Sequence, residues 1–322
     1  MTDDTGMFQH SRYTIPDRRH GYTLDDNARA LIVAARSADP ALLARLPVYL
    51  SFVAYCQRPD GLFRNFMGYN REFLEEVGSP DSQGRTLWSL GVLYAVRPEY
   101  RPLADEMLKA LLPHLSRLNY PRTWAFAILG LGAYVQVKPE KEVCAELERL
   151  ADKLVACWEN TSKSENWAWF EDFLSYENAR LPQALFAAHL ATGKPAYLKV
   201  ACQSADFLEK VHFRQDYLKL VGNKGWFYRD KTMAEFDEQP VDAGALVEMY
   251  NTAYRVSGLS RYAELAGRAF DWYWGWNCHG QALYDPANGG CYDGLLASGV
   301  NLNQGAESVL SYHLALQSML QP

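Results

Sequence analysis

An all-α fold, a toroid of helical hairpins closed as an (α/α)6 barrel with short hairpins in the long loops on one face, is what this sequence predicts. Three observations carry it. Strand signals are scarce and helical ones abundant. Two kinds of helix alternate, one apolar nearly all round and one with a wet face. The connections alternate too, short after the first kind of helix and long before several of them.

The helices fall at about 22–38, 40–57, 81–96, 101–117, 121–136, 140–159, 176–192, 196–212, 241–257, 260–276 and 304–320. The first carries Leu24, Ala28, Leu31, Ile32 and Ala35, close to an i, i+4, i+7 stripe. Six segments open on a polar motif and continue with small or apolar residues. They are "YTLDDNARALIVAA", "SPDSQGRTLWSLGVL", "YPRTWAFAILGLGAY", "SYENARLPQALFAAHL", "QPVDAGALVEMYNTAY" and "NQGAESVLSYHLAL". The other kind is more charged, as in "KEVCAELERLADKLVACW". Short connections read "ADP", "RPEY", "VKPE", "TGKP" and "SGLS". The long ones span about 58–80, 160–175, 213–239 and 277–303, with "DGLF", "GWFY" and "NGG" as turn or hairpin signals. Six inner and five outer helices give one domain over 1–322, residues 1–20 forming an irregular arm; a sixth outer helix has no counterpart in the sequence. A helical solenoid would repeat at a shorter, steadier period and would not put every long loop at one end.

A chain of 322 residues, 48% hydrophobic, has ample material for a core. A net charge of -6 argues against a nucleic-acid partner. The six cysteines show no metal-finger spacing and sit mostly in apolar helical runs, as small hydrophobes. The acidic, polar N-terminus is no signal peptide, and no apolar run spans a bilayer, so no membrane partner and a cytoplasmic home are expected. Nine Trp and 20 Tyr stand out, many beside polar residues, as in "ENWAWFEDF" and "GWFYRD". Rings next to hydrogen-bonding groups suit sugars, although core filling explains much of the same signal.

In the predicted barrel the inner helices run the same way, so their N-termini converge on one cup. Unpaired N–H groups there favour carboxylates and anions. Capping explains part of the composition: Ser79 before Pro80, Thr23 with Asp26, Ser175 with Asn178, and Gln239 before Pro240. Capping needs one polar atom per helix, and most of these starts carry two or three. Candidate acids are Asp25, Asp26, Asp81, Asp242 and Glu307, with Glu171 and Asp172 from a loop. Candidate sugar holders are Tyr22, Arg29, Arg85, Trp124, Trp167, Trp169, Arg180, Trp226, His10 and Gln304. Paired carboxylates suit glycosidic bond cleavage: one protonates the leaving oxygen, the other activates water or attacks carbon. Successive helical residues diverge by about 100°. So one of Asp25 and Asp26 faces the cup, while the other caps the helix or pairs with an arginine such as Arg29, four residues after Asp25.

Other chemistries are less well served. There is no HExxH, Walker loop, GxSxG or strand-linked GxGxxG. Acids such as Asp25 and Asp26 would suit calcium or magnesium, but no EF-hand spacing exists, so neither a metal ion nor a cofactor is expected. His189 and His313 sit in apolar helices as core residues; His10 and His20 flank the first motif.

The stretches "DDTGMFQHSRYTIPDRRHGYTLDDNARAL", "SPDSQGRTLWSLG", "WFEDFLSYENARLPQAL", "FDEQPVDAGALVEMY" and "NLNQGAESVLSYHLA" resemble a bacterial domain family found alone or fused behind glycosyltransferase domains. That family is grouped with six-hairpin glycosidase-like proteins, and the resemblance covers about residues 3–320. It implies the (α/α)6 toroid and a setting in glycan metabolism, with a functional link to a glycosyltransferase. It assigns no catalytic residue. No nucleotide-binding half precedes residue 22, so transfer from a nucleotide sugar is not expected.

The leading expectation is a glycoside hydrolase-like enzyme acting on an oligosaccharide, one containing mannose or glucose, through the carboxylates named above. A sugar isomerase or epimerase on the same barrel is the second reading, with His10 or His20 as the convenient base. A non-catalytic glycan-binding module working with a glycosyltransferase is the third.

Overall fold

The computed structural model describes residues 1–162 and 166–320. Glu165, which opens the first aromatic stretch quoted above, lies outside them, as does part of the expected loop at 160–175. The chain divides into two compact units, Met1–Ala151 and Asp152–Pro322.

The first unit holds α1 (Leu24–Arg36), α2 (Pro40–Leu43), α3 (Leu46–Cys56), α4 (Pro80–Val96), α5 (Arg101–Leu111) and α6 (Pro121–Val135). The division falls within α7 (Lys141–Thr161). The helix kinds are as expected. In α4 every residue from Ser82 to Tyr94 is buried. In α5 only Ala104, Met107, Leu108 and Leu111 are, an i, i+3, i+4, i+7 stripe. Burying each such leucine contributes about 1.5–3 kcal/mol. α1 packs on α3 and α4, and α4 packs on α5 and α6. The α4–α6 contact is backbone-close because Gly91 faces Gly130: a Cβ on Gly91 would lie 2.0 Å from the Gly130 carbonyl oxygen.

Proline sets two boundaries that periodicity misplaces. The helix expected at 40–57 is two, α2 and α3, because Pro47 fits only in a first helical turn. The helix expected at 101–117 leaves α geometry after Leu111 and finishes as a 3-10 turn containing Pro113.

The second unit continues with α8 (Arg180–Thr192), α9 (Pro195–His212), α10 (Pro240–Ser257), α11 (Ser260–Asp271) and α12 (Ala306–Leu320). α8 packs on α9, and α10 packs on α8, α11 and α12. α10 is buried from Pro240 to Ala253, whereas α11 buries only Tyr262, Leu265, Ala266 and Ala269. Among the described residues no helix follows α12. α8 and α10 end on Gly193 and Gly258, at φ 72° and 69°, a left-handed turn that frees the chain for the short connections "TGKP" and "SGLS".

Two starts differ from expectation. The helix expected from 176 begins at Arg180, because Ser175 and Asn178 bond each other across a turn (Ser175 N–H to Asn178 Oδ1, 3.0 Å; Asn178 Nδ2 to Ser175 O, 2.8 Å). α11 stops at Asp271 and is followed by the 3-10 turn Trp272–Trp274, short of the expected 276.

The strands are two or three residues long. β1 (Ser11–Arg12) pairs antiparallel with β2 (Ile15–Pro16), and β3 (Tyr22–Thr23) with β4 (Phe66–Met67). In the second unit β5 (Phe173–Leu174) pairs with β6 (Phe227–Tyr228), β7 (Tyr284–Asp285) with β8 (Gly290–Cys291), and β9 (Gly294–Leu296) with β10 (Gly299–Asn301). The β7–β8 ladder closes around "NGG" as the expected hairpin, and β9–β10 is a second hairpin in the same long loop without a sequence signal. The β3–β4 and β5–β6 ladders differ: each ties a long loop to the segment just before an inner-type helix. That tie brings loop residues to the helix openings.

Candidate active site

At the opening of α1 the two aspartates separate as helical geometry requires. Thr23 caps the helix, accepting from the Asp26 N–H at 3.2 Å, and returns its hydroxyl to Asp26 Oδ2 at 2.6 Å. Asp26 Oδ1 accepts from Arg29 Nη1 at 3.2 Å, and both side chains are buried. Asp26 is thus held at the helix cap, and Arg29 bonds it three residues on.

Asp25 turns elsewhere. Loop residue Asn65, delivered by the β3–β4 ladder, accepts from the Asp25 N–H at 3.0 Å and donates to Asp25 Oδ2 at 3.1 Å. Arg85, one and a half turns into α4, places Nε 3.6 Å from Asp25 Oδ1. Oδ1 is buried and accepts no hydrogen bond, although 27% of the side chain stays exposed through its other atoms. Desolvation raises the Asp25 pKa; Arg85 and Arg29 work against it, and Asp81 adds to it. Asp81, in the first turn of α4, accepts from Thr123 Oγ1 of α6 at 2.8 Å. The Arg85 guanidinium lies 4.2 Å above the Phe126 ring. The openings of α1, α4 and α6 thus meet in one cluster of two carboxylates and a buried cation.

In the second unit the openings of α8 and α10 meet through Glu177, whose N–H donates to Asp242 Oδ1 at 2.5 Å. Glu177 adopts φ 44°, a conformation that costs a non-glycine residue energy and that tends to mark functional positions. Arg180 Nε donates to Glu177 Oε1 at 3.0 Å, and Nη1 reaches Glu248 Oε2 at 2.5 Å and Gln183 Oε1 at 2.8 Å. Burial disfavours the Arg180 charge, but Glu248 and Glu177 outweigh it and hold the guanidinium pKa above its ordinary value. Another buried carboxylate, Glu238, is fully engaged: Oε1 by Lys219 Nζ (2.6 Å) and Cys278 Sγ (3.0 Å), Oε2 by the Leu220 N–H and Trp272 Nε1 (both 3.1 Å). Burial, then Glu238, pushes the Cys278 thiol up to about 12, so it stays protonated and donates. Among the described residues no group of three or more His, Cys, Asp and Glu is placed to hold a metal ion.

The sequence matches the model of the β-L-arabinofuranosidase GH127 catalytic domain over residues 3–273. The chain belongs to the GH127 catalytic-domain family. It is a carbohydrate-active protein of the glycoside hydrolase class. No curated protein sequence matches the chain. Its backbone is similar to a sugar epimerase from a ruminal bacterium (TM-score 0.79, 11% identity, 98% of this chain and 92% of that one). It is also similar to cellobiose 2-epimerase from Bacillus thermoamylovorans (0.78, 13%, 99% and 92%). An inactive double-aspartate variant of the GH76 α-1,6-mannanase from a Salegentibacter species, in complex with α-1,6-mannotriose, is similar at 0.67 and 12%, over 99% and 94%. These likenesses carry the fold, and the fold is the expected (α/α)6 architecture of six-hairpin glycosidase-like proteins.

Within this GH127 domain the remaining candidates are dispersed. Tyr22 is 1% exposed, stacked on Phe8 and donating to Asp3 at 2.6 Å, and Trp169 is fully buried against Phe170 and Phe207. Neither offers a face to a ligand in this structure. Trp124 is buried and donates Nε1 to Leu118 O at 2.5 Å. Trp167 donates Nε1 to Glu171 O at 2.8 Å, which leaves the Glu171 carboxylate half-buried nearby. Asp172 is exposed and pairs with Arg229 at 3.1 Å. Trp226 is half-buried beside Tyr176. Gln304 is buried and donates to Asp285 at 3.0 Å, and Glu307 is half-buried in the first turn of α12. His10 is exposed and meets His20 edge-on, centroids 4.7 Å apart.

Asn65, Thr123, Gln183, Glu248, Lys219 and Cys278 were not among the sequence candidates. Glu248 had a signal: it is the one charged residue in the mostly apolar stretch "GALVEMYNTAY". Asn65 and Lys219 had none, since each works through a loop fold that only the structure reveals.

Proposed function

We propose that the chain is a glycoside hydrolase acting on an oligosaccharide, with Asp25 as the general acid and Asp81 as the partner carboxylate. The observation that supports it is the Asp25 carboxyl: raised in pKa by desolvation, with Oδ1 lacking a hydrogen bond and a neighbouring acid beside it. In the protonated state Asp25 gives its proton to the glycosidic oxygen. As the carboxylate forms, Arg85 at 3.6 Å and Asn65 Nδ2 at 3.1 Å are already in place to stabilise it. Asp81, held by Thr123, activates water or attacks the sugar carbon. Asp26 fixes Arg29 and the helix start, so the paired acids of the motif have different tasks. The inactivated mannanase variant has two consecutive aspartates replaced, which fits a role for such a pair in a related barrel. A working link to a glycosyltransferase belongs to the same proposal.

The test is product analysis on a panel of oligosaccharides, β-L-arabinofuranosides first and α-mannosides second. New reducing ends with one water consumed per bond support the reading. Interconversion of a free sugar without water consumption, or binding without turnover across the panel, overturns it.

A further inference from the structure

Apart from these clusters, the second unit contains a cleft of about 450 Å³ at the C-terminal end of α9. Phe227, Val211 and Met233 form the accessible part of its apolar side, over the buried rings of Trp167 and Phe207. Trp167 meets Phe207 and Phe227 edge-on, each at 5.3 Å between centroids, and its Nε1 bond to Glu171 O fixes the ring. Three cations, Lys210, Arg214 and Lys231, line the same cleft, and among the described residues no carboxylate does. The nearby acids of α9, Asp206 and Glu209, are both engaged by Arg261. Lys210 and Lys231 are exposed, and among the described residues neither makes an ion pair. An apolar wall facing cations that make no ion pair among the described residues, in a protein of net charge -6, selects a ligand with an apolar face and a negative charge. Phe227 pairs with Leu174 in the β5–β6 ladder, three residues before Glu177, so the cleft is tied to the opening of α8.

We infer that this cleft is a binding site for an acidic sugar unit, a hexuronate. The ring's C–H face would lie on Phe227 and its carboxylate would meet Lys210, Arg214 and Lys231. The choice of a sugar rests on the carbohydrate class of the domain. The site itself does not require Asp25 to do chemistry.

The test uses the full chain carrying Asp25→Asn, so that turnover plays no part. Binding of cellobiouronic acid and of its neutral twin, cellobiose, is measured by calorimetry and by ligand-observed NMR. The expected result is that the acid binds about tenfold or more tighter than the twin, that raising salt from about 0.05 M to about 0.5 M removes most of the difference, and that Lys210→Glu with Lys231→Glu abolishes it. Both lysines are exposed, so the double variant should fold, and an unchanged far-UV spectrum and melting temperature check this. Equal binding of the two sugars, binding of neither, or preference for the acid surviving charge reversal overturns the inference. The oligosaccharide panel reads a separate quantity, so failure here leaves the hydrolase reading standing.

Discussion

Arg85 Nε stands 3.6 Å from Asp25 Oδ1, too far to share a proton and close enough to attract charge. That spacing sets a carboxyl whose pKa is raised by desolvation beside a cation that would support its charged form. In the proposed role the acid form is the active one, so kcat/KM should fall as pH rises through the raised Asp25 pKa. Arg85 lowers that pKa, and removing its charge should move the falling limb to higher pH. Arg85→Gln is expected to shift the limb by about one unit or more. Paired pH–rate profiles of the wild type and the variant read this directly. A limb that stays in place belongs to another group.

Arg180 lies between Glu177 and Glu248, all three at most 3% exposed. Removing the cation takes a buried ion-pair partner from both carboxylates, and Arg180→Met should cost about 3–5 kcal/mol in urea unfolding at neutral pH. A buried carboxyl stripped of its cation favours the protonated form, so the deficit should shrink as pH falls towards the unfolded carboxylate range. A deficit that does not change on acidification would mean the loss is one of packing.

Close approach of α4 and α6 rests on missing side chains. In Gly91→Ala the new Cβ would press on the Gly130 carbonyl from 2.0 Å, and backbone cannot yield as a side chain can. A loss of about 1–3 kcal/mol or more is expected, seen as a lower melting temperature. Gly267→Ala, in α11, meets nothing within 4 Å and should stabilise by about 0.5–1 kcal/mol through helix propensity. Comparable losses in both variants would contradict the steric account.

The alternation of buried and amphipathic helices was readable because burial imposes different periodicities on the two kinds, as α4 and α5 show. Their ends were less so. Pro47 and Pro113 are visible in the sequence, but the apolar run continues past both and conceals the break. The division of labour between Asp25 and Asp26 was half readable. Helical geometry required the two to diverge, and it took the 3.2 Å contact to Arg29 to show that Asp26 is the anchored one. Aromatic residues were the least readable part. Tyr22 and Trp169 stand beside polar residues in the chain, but neighbours in sequence do not decide which way a ring points, and both point into the core. The Lys219–Glu238–Cys278 contacts join residues 19 and 40 positions apart through irregular loops, and no periodicity connects them.

The central claim is that the Asp25 carboxyl delivers the proton. Replacing one oxygen by an amide keeps the shape and removes the acid. With an oligosaccharide that the wild type cleaves, Asp25→Asn should lower kcat about 10²–10⁴-fold with KM changed little and the melting temperature preserved. A substrate whose leaving group needs no proton, such as a dinitrophenyl glycoside, should recover much of the loss in bond cleavage. An Asp25→Asn variant that is folded and retains wild-type kcat on the natural linkage would contradict the account.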